Sequence, residues 1–121
     1  MYFILRHSEN SNYKDIFGEI YHYTERSPNS KKLKEGSKVL LYKKENNSII
    51  AFGKVVKIEV KNVNNQKHFF AYLKCKRFKE PIFCDYRILK LAGIKFQLDS
   101  ALPGIIPISR ASFQKILKLF E

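Results

Sequence analysis

Tryptophan is absent from this chain of 121 residues, methionine occurs once, cysteine twice, and glycine and proline only five and four times. With so little Gly and Pro beside a hydrophobic share of 45%, a disordered or low-complexity chain is excluded. The two cysteines, Cys75 and Cys84, flank a proline turn without CxxC spacing, so they are read as reduced, half-buried strand residues. The three histidines, His7, His22 and His68, are scattered, and neither a metal site nor a cofactor is expected. No apolar run approaches the roughly 18 residues needed to span a bilayer. The opening "MYFILRH" passes too soon into polar sequence to serve as a signal peptide. A cytoplasmic protein without membrane attachment is therefore expected.

Acidic residues are also few, eleven in all. A two-metal nuclease centre would have to be assembled from Asp15, Asp85, Asp99 and scattered glutamates, and their spacing gives no sign of it. There is no P-loop, GxGxxG, GxSxG, HExxH or EF-hand loop. Binding rather than catalysis is expected, and no residue is assigned a catalytic role.

What the chain does have is positive charge. Twenty-three Lys and Arg against eleven acids give a net charge of +12, which points to a polyanionic partner met quickly and in a salt-sensitive way. Lys31, Lys32, Lys34, Lys38, Lys43 and Lys44 crowd one loop and the strand after it. Lys54, Lys57, Lys74, Lys76 and Arg77 lie along later strands. Together they are the expected contacts to a nucleic-acid backbone.

The length suits one domain, residues 1–121. "YFILR" reads as a first strand, and Ser11 or Asn12 as the cap of a short helix with Ile16, Phe17 and Ile20 turned inward. "TERSPNSKKLKEGSK" reads as a loop plugged by Leu33, "KVLLYKK" as a strand, and "ENNS" as a hairpin turn. In the returning strand "IIAFGKVVKIEVK", alternation places Val56, Ile58 and Val60 on one face. "NVNNQ" is a turn, "HFFAYLKCKRF" a strand ended at "KEP", and "IFCDYRILKLAGIKF" either strand or short helix. "LPGIIPIS" is extended, and Ser109 caps a last helix whose Phe113, Ile116, Leu117 and Phe120 form an inward stripe. The sum is a mixed α/β (α+β) domain: a small, strongly curved sheet or open barrel flanked by short helices.

Seventeen Phe and Tyr make 14% aromatics. Phe3, Phe17, Phe52, Phe78, Phe96, Phe113 and Phe120 are assigned to the core. Tyr21 and Tyr23 alternate around His22, so in a strand they face one way and His22 the other. A buried phenol needs a hydrogen-bond partner, so one side of this segment is expected to line a cleft.

The order "YFILR", "SENSN", "GEIYHY", "LKEGSKVLLYKK", "IIAFGKVV", "GIIPISRASFQKIL" resembles the EVE domains of the PUA-like superfamily, relatives of the YTH readers of methylated adenine. The resemblance implies a PUA-like fold. It also implies the role of targeting module in a modification-dependent restriction protein, such as a McrB-type motor subunit. The implied ligand is double-stranded DNA carrying a modified, methylated base, held flipped out in an aromatic cage. Other domains of the parent protein are the implied partners. Carried onto this chain, the cage falls on Tyr21, with Tyr23 beside it and Phe69 or Phe70 opposite; Ser8 and Asn10, with His22, would touch the base edge. The alternatives are an RNA-binding module of the same fold and a small ribonuclease of the related ASCH type.

Overall fold

The computed structural model describes residues 1–8, 16–96, 98 and 103–119. Six strands, β1 (Tyr2–His7), β2 (Ile20–Thr24), β3 (Lys38–Lys43), β4 (Ser48–Val63), β5 (Gln66–Phe83) and β6 (Ile105–Ile108), form one sheet in the order β2-β5-β4-β3-β1-β6. Only β1 and β3 run parallel; every other neighbouring pair is antiparallel. Two short helices, α1 (Tyr86–Leu91) and α2 (Arg110–Lys118), follow β5 and β6. Asp85 and Ser109 cap them, their side-chain oxygens accepting from the backbone N–H of Ile88 and Ser112.

The helices cover one face of the sheet. Leu89, Ala92, Phe113 and Ile116 pack there on Ile4, Leu40, Tyr42, Ile49 and Ile106. On the other face Phe3, Leu5, Val39, Leu41, Ala51 and Val55 meet Tyr21 and Tyr23 of β2, with Leu33 pressed in from the loop 25–37. That second core exists because the sheet curls until its two ends approach each other. Backbone pairing never closes the ring; side chains cross the gap instead. The Tyr21 hydroxyl donates to Arg6 O at 3.1 Å, and Asn29 Nδ2 donates to Ile105 O at 2.9 Å.

Curvature of this order needs irregular strands. The β4–β5 ladder skips between Ile49 and Ala51 and again between Val55 and Lys57. The second skip overturns the simple alternation expected for β4. Val55 and Ile58 share the buried face, while Val56 and Val60 are exposed. The expected break at "KEP" is also absent. β5 continues through Pro81 to Phe83, because residues 78–81 sit in the first skip, where a proline displaces no ladder hydrogen bond. Ile16 is half exposed and forms a bridge with Ile20 around Gly18, whose φ of +83° only glycine adopts at no cost. The expected caps Ser11 and Asn12, along with Phe120, lie outside the described residues.

The remaining expectations meet the fold directly. The strands at "YFILR" and "KVLLYKK", the turns at "ENNS" and "NVNNQ", the Leu33 plug and the Ser109-capped helix are all present. "IFCDYRILKLAGIKF" divides into the end of β5, a capped helix α1 and a turn at Gly93. Phe3 and Phe113 are fully in the core; Phe17, Phe52, Phe78 and Phe96 pack at its edges. Both cysteines are free, Cys75 half-buried and Cys84 buried. Burial pushes their thiols up, to about 11 and about 12.

Candidate nucleic-acid interface

Where the curled sheet fails to close, a cleft of about 290 Å³ opens between the end of β2 and the start of β6. Tyr21, Tyr23, Thr24, Arg26, Ser27 and Pro28 line one side, and Gly104 and Ile105 the other. The two phenols lie side by side, ring centroids 6.0 Å apart. Tyr21 is committed to Arg6 O and so belongs to the closure of the fold. Gly104 is required beside it, since a Cβ there would run into the Tyr21 hydroxyl.

Tyr23 is different. Its residue is only 2% exposed, and its ring stacks on Phe69 at 5.1 Å with planes 17° apart. No hydrogen bond reaches its hydroxyl from the described residues. Burial pushes the phenol up to about 12, so at neutral pH it keeps its proton. Arg26, exposed at the rim, makes no ion pair with a described residue.

Of the residues expected to form a base pocket, Tyr21 and Tyr23 are brought together at the cleft. Phe69 stands behind Tyr23 as its stacking partner rather than across a slot from it. His22 points to the opposite face, as alternation requires. There its Nε2 lies 2.8 Å from His68 Nδ1, and its ring stacks on Phe70 at 4.4 Å. Ser8 is not in the cleft wall; its hydroxyl donates to Glu45 Oε2 at 3.0 Å. Asn10 lies outside the described residues, as do Asp15 and Asp99, while Asp85 caps α1. The cleft residues not foreseen are Thr24, Arg26, Ser27, Pro28, Gly104 and Ile105. The first four directly follow the tyrosines. The last two arrive from about eighty positions further on, and no local pattern announces them.

The basic residues divide similarly. Lys38, Lys54, Lys74 and Lys76 gather along a shallow groove of about 470 Å³ on the helix-covered face. Lys57 is held by Glu59 at 3.1 Å and lies over the Tyr72 ring, and the Glu59 carboxyl is lowered by hydrogen bonds from Lys57 and Tyr72. Arg77 sits over the Phe17 ring at 5.2 Å. Lys31, Lys32 and Lys34 are exposed in the loop around Leu33, and Lys43 and Lys44 stand at the β3–β4 turn. Among the described residues, no three His, Cys, Asp or Glu come together as a metal-binding group. No helix is long and apolar enough to cross a membrane among these residues.

A scan of the sequence against protein-family models finds no match, and a search of curated proteins finds none either. Solved structures do match. One is the ASCH protein from Zymomonas mobilis, with a TM-score of 0.68 at 13% identity, covering 99% of this chain and 96% of that one. A tyrosine-to-phenylalanine variant of the same protein aligns with a TM-score of 0.70 at 13% identity, covering 99% of each chain. The fold of this chain is therefore the PUA-like α+β fold of ASCH domains, with its sheet left open at the cleft.

Proposed function

We propose that this domain binds nucleic acid and takes a single base into the cleft between β2 and β6. The observation that carries the reading is the Tyr23 hydroxyl, which belongs to a residue 2% exposed, lacks a protein partner among the described residues and stands in a cavity wall. The ring is buried while its hydroxyl oxygen stays open to the cleft, so a ligand there can take up its hydrogen bond. Because the phenol keeps its proton, it orients a ligand rather than acting as a base. A cavity of about 290 Å³ lies at the small end of ligand sites, the scale of one base or sugar. Tyr21 and Tyr23 supply its apolar wall, and Arg26 can pair with a phosphate or lie flat on a base. The net charge of +12 draws the polyanion in.

Within this reading the ligand is double-stranded DNA bearing a methylated base, which the cleft receives flipped out of the stack. The domain then works as a binder, the targeting module of a modification-dependent restriction protein of the EVE type. The likeness to ASCH favours one second reading, an RNA-binding or RNA-cleaving domain of that kind.

Matched duplexes that are unmodified or carry N6-methyladenine, 5-methylcytosine or 5-hydroxymethylcytosine, with single-stranded RNA of the same sequence, test both by fluorescence polarisation. Tyr23→Phe is expected to weaken the preferred ligand about tenfold, the cost of about 1–2 kcal/mol for one lost hydrogen bond to a buried partner. Plain duplex binding should stay as it was, since backbone contacts position and base contacts specify. The melting temperature should not move. If Tyr23→Phe and Arg26→Gln bind every ligand as the wild type does, the cleft is not the site. Cleavage of the RNA on adding a divalent metal would favour the second reading.

A further inference from the structure

Lys38, Lys54 and Lys74 occupy one row across three adjacent strands, Lys38 facing Lys54 and Lys54 facing Lys74. With neighbouring strands about 4.8 Å apart, three ammonium groups rise from a line about 10 Å long. Like charges directly opposite each other destabilise a sheet. No counter-charge among the described residues relieves this row: all three lysines and Lys76 are exposed, and none of their ammonium groups has an ion pair or hydrogen bond with a described residue. Beneath them the groove is apolar, its floor made by Phe52, Phe113 and Leu117. Leu40 and Phe52, which share the face of the lysine row, belong to the helix-side core, whereas Tyr21 and Tyr23 belong to the core on the other side.

The geometry points to a second nucleic-acid-binding face, separate from the cleft, in which a single strand lays its phosphates along Lys38, Lys54 and Lys74 and its sugars and bases on Phe52, Phe113 and Leu117. The charge row selects a polyanion. The aromatic floor selects one with flat rings at regular spacing between its charges, as a nucleic-acid strand has and a run of acidic side chains or free phosphate lacks. A strand lodged in the cleft leaves this face uncovered. The domain can therefore hold two segments of nucleic acid at once, whatever the cleft itself takes.

The test compares wild type, Lys54→Gln with Lys74→Gln, and Tyr23→Phe on single-stranded 12-mers across a salt series. For the double lysine variant, the slope of log K against log salt should become shallower by about 1.4 units, about 0.7 for each phosphate contact on a single strand. Its free form should melt higher than wild type, because the repulsion on both sides of Lys54 is gone; a merely solvated lysine would not give that pairing of effects. Tyr23→Phe should leave this slope unchanged, which separates the groove from the cleft. An unchanged slope and affinity in the double lysine variant would overturn the proposal. So would saturation of the groove's amides, Gly53 and Cys75, by inorganic triphosphate as readily as by the 12-mer.

Discussion

Gly53→Ala is expected to cost on the order of 3 kcal/mol, the upper part of the range for overpacking. In a domain of this size that lowers the melting temperature by about 10–15 °C. A Cβ at Gly53 would stand 2.6 Å from Cys75 Sγ and 2.7 Å from Cys75 Cα, and would also meet the carbonyl of Lys74. Two of those three atoms are backbone of the neighbouring strand, so no rotamer change relieves the collision. Only a local parting of β4 and β5 does, since the missing side chain is what lets Cys75 and the Lys74 carbonyl come so near. Thermal melts of the purified variant decide it. A loss below about 1 kcal/mol would mean that the two strands yield there far more readily than a paired ladder should.

Tyr21→Ala is expected to be at least as damaging, at about 3–5 kcal/mol for truncating a buried aromatic ring. The side chain is 7% exposed, packs in the core beneath the cleft, and ties β2 to β1 through Arg6 O. Tyr21→Phe keeps the ring and should lose only about 1 kcal/mol, the worth of one hydrogen bond. The pair separates packing from tethering. Tyr21→Ala should lose stability together with every kind of nucleic-acid binding, while Tyr23→Phe loses the preferred ligand alone. Equal losses from Tyr21→Ala and Tyr21→Phe would show that the hydroxyl, and not the ring, holds the two sheet ends together.

Local patterns in the sequence were enough to find most of the elements. Continuous apolar runs, buried on both faces, mark β1 and β3, and the Ser109 cap with the apolar stripe after it marks the start of α2, while the start of α1 at Asp85 stayed open between strand and helix. Alternation puts Tyr21 and Tyr23 on one side of β2 and His22 on the other. Alternation fails at the strand skips. A single extra residue at Val56 reverses the faces beyond it, and nothing in "GKVVKI" distinguishes a skipped valine from a paired one. The cleft was half legible for a related reason. Its tyrosine wall is continuous in sequence, but Gly104 and Ile105 are delivered by the return of β6 to β1, a contact fixed by topology rather than by neighbours. The lysine row became visible only through register: Lys38, Lys54 and Lys74 are unremarkable singly and become one feature when three strands are aligned.

The β4–β5 hairpin also sets the order in which the molecule assembles. Asn64 and Asn65 both hold left-handed backbone, with φ of 50° and 63°, the geometry of a tight two-residue turn whose twist matches its strands. Val63 meets Gln66 at once, and pairing can then zip outward as far as the strand skips without closing any large loop. By contrast, Tyr2 must find Ile108, a partner more than a hundred residues away, before β1 and β6 can form. Folding should therefore nucleate at the hairpin and finish at the seam, with φ-values high for substitutions at Val55 and near zero at Ile105. High values at Ile105 would reverse that order. On that order the cleft should be the last part of the protein to form and the first to come apart. A ligand bridging its two walls would accordingly act mostly on the unfolding rate and scarcely on the folding rate.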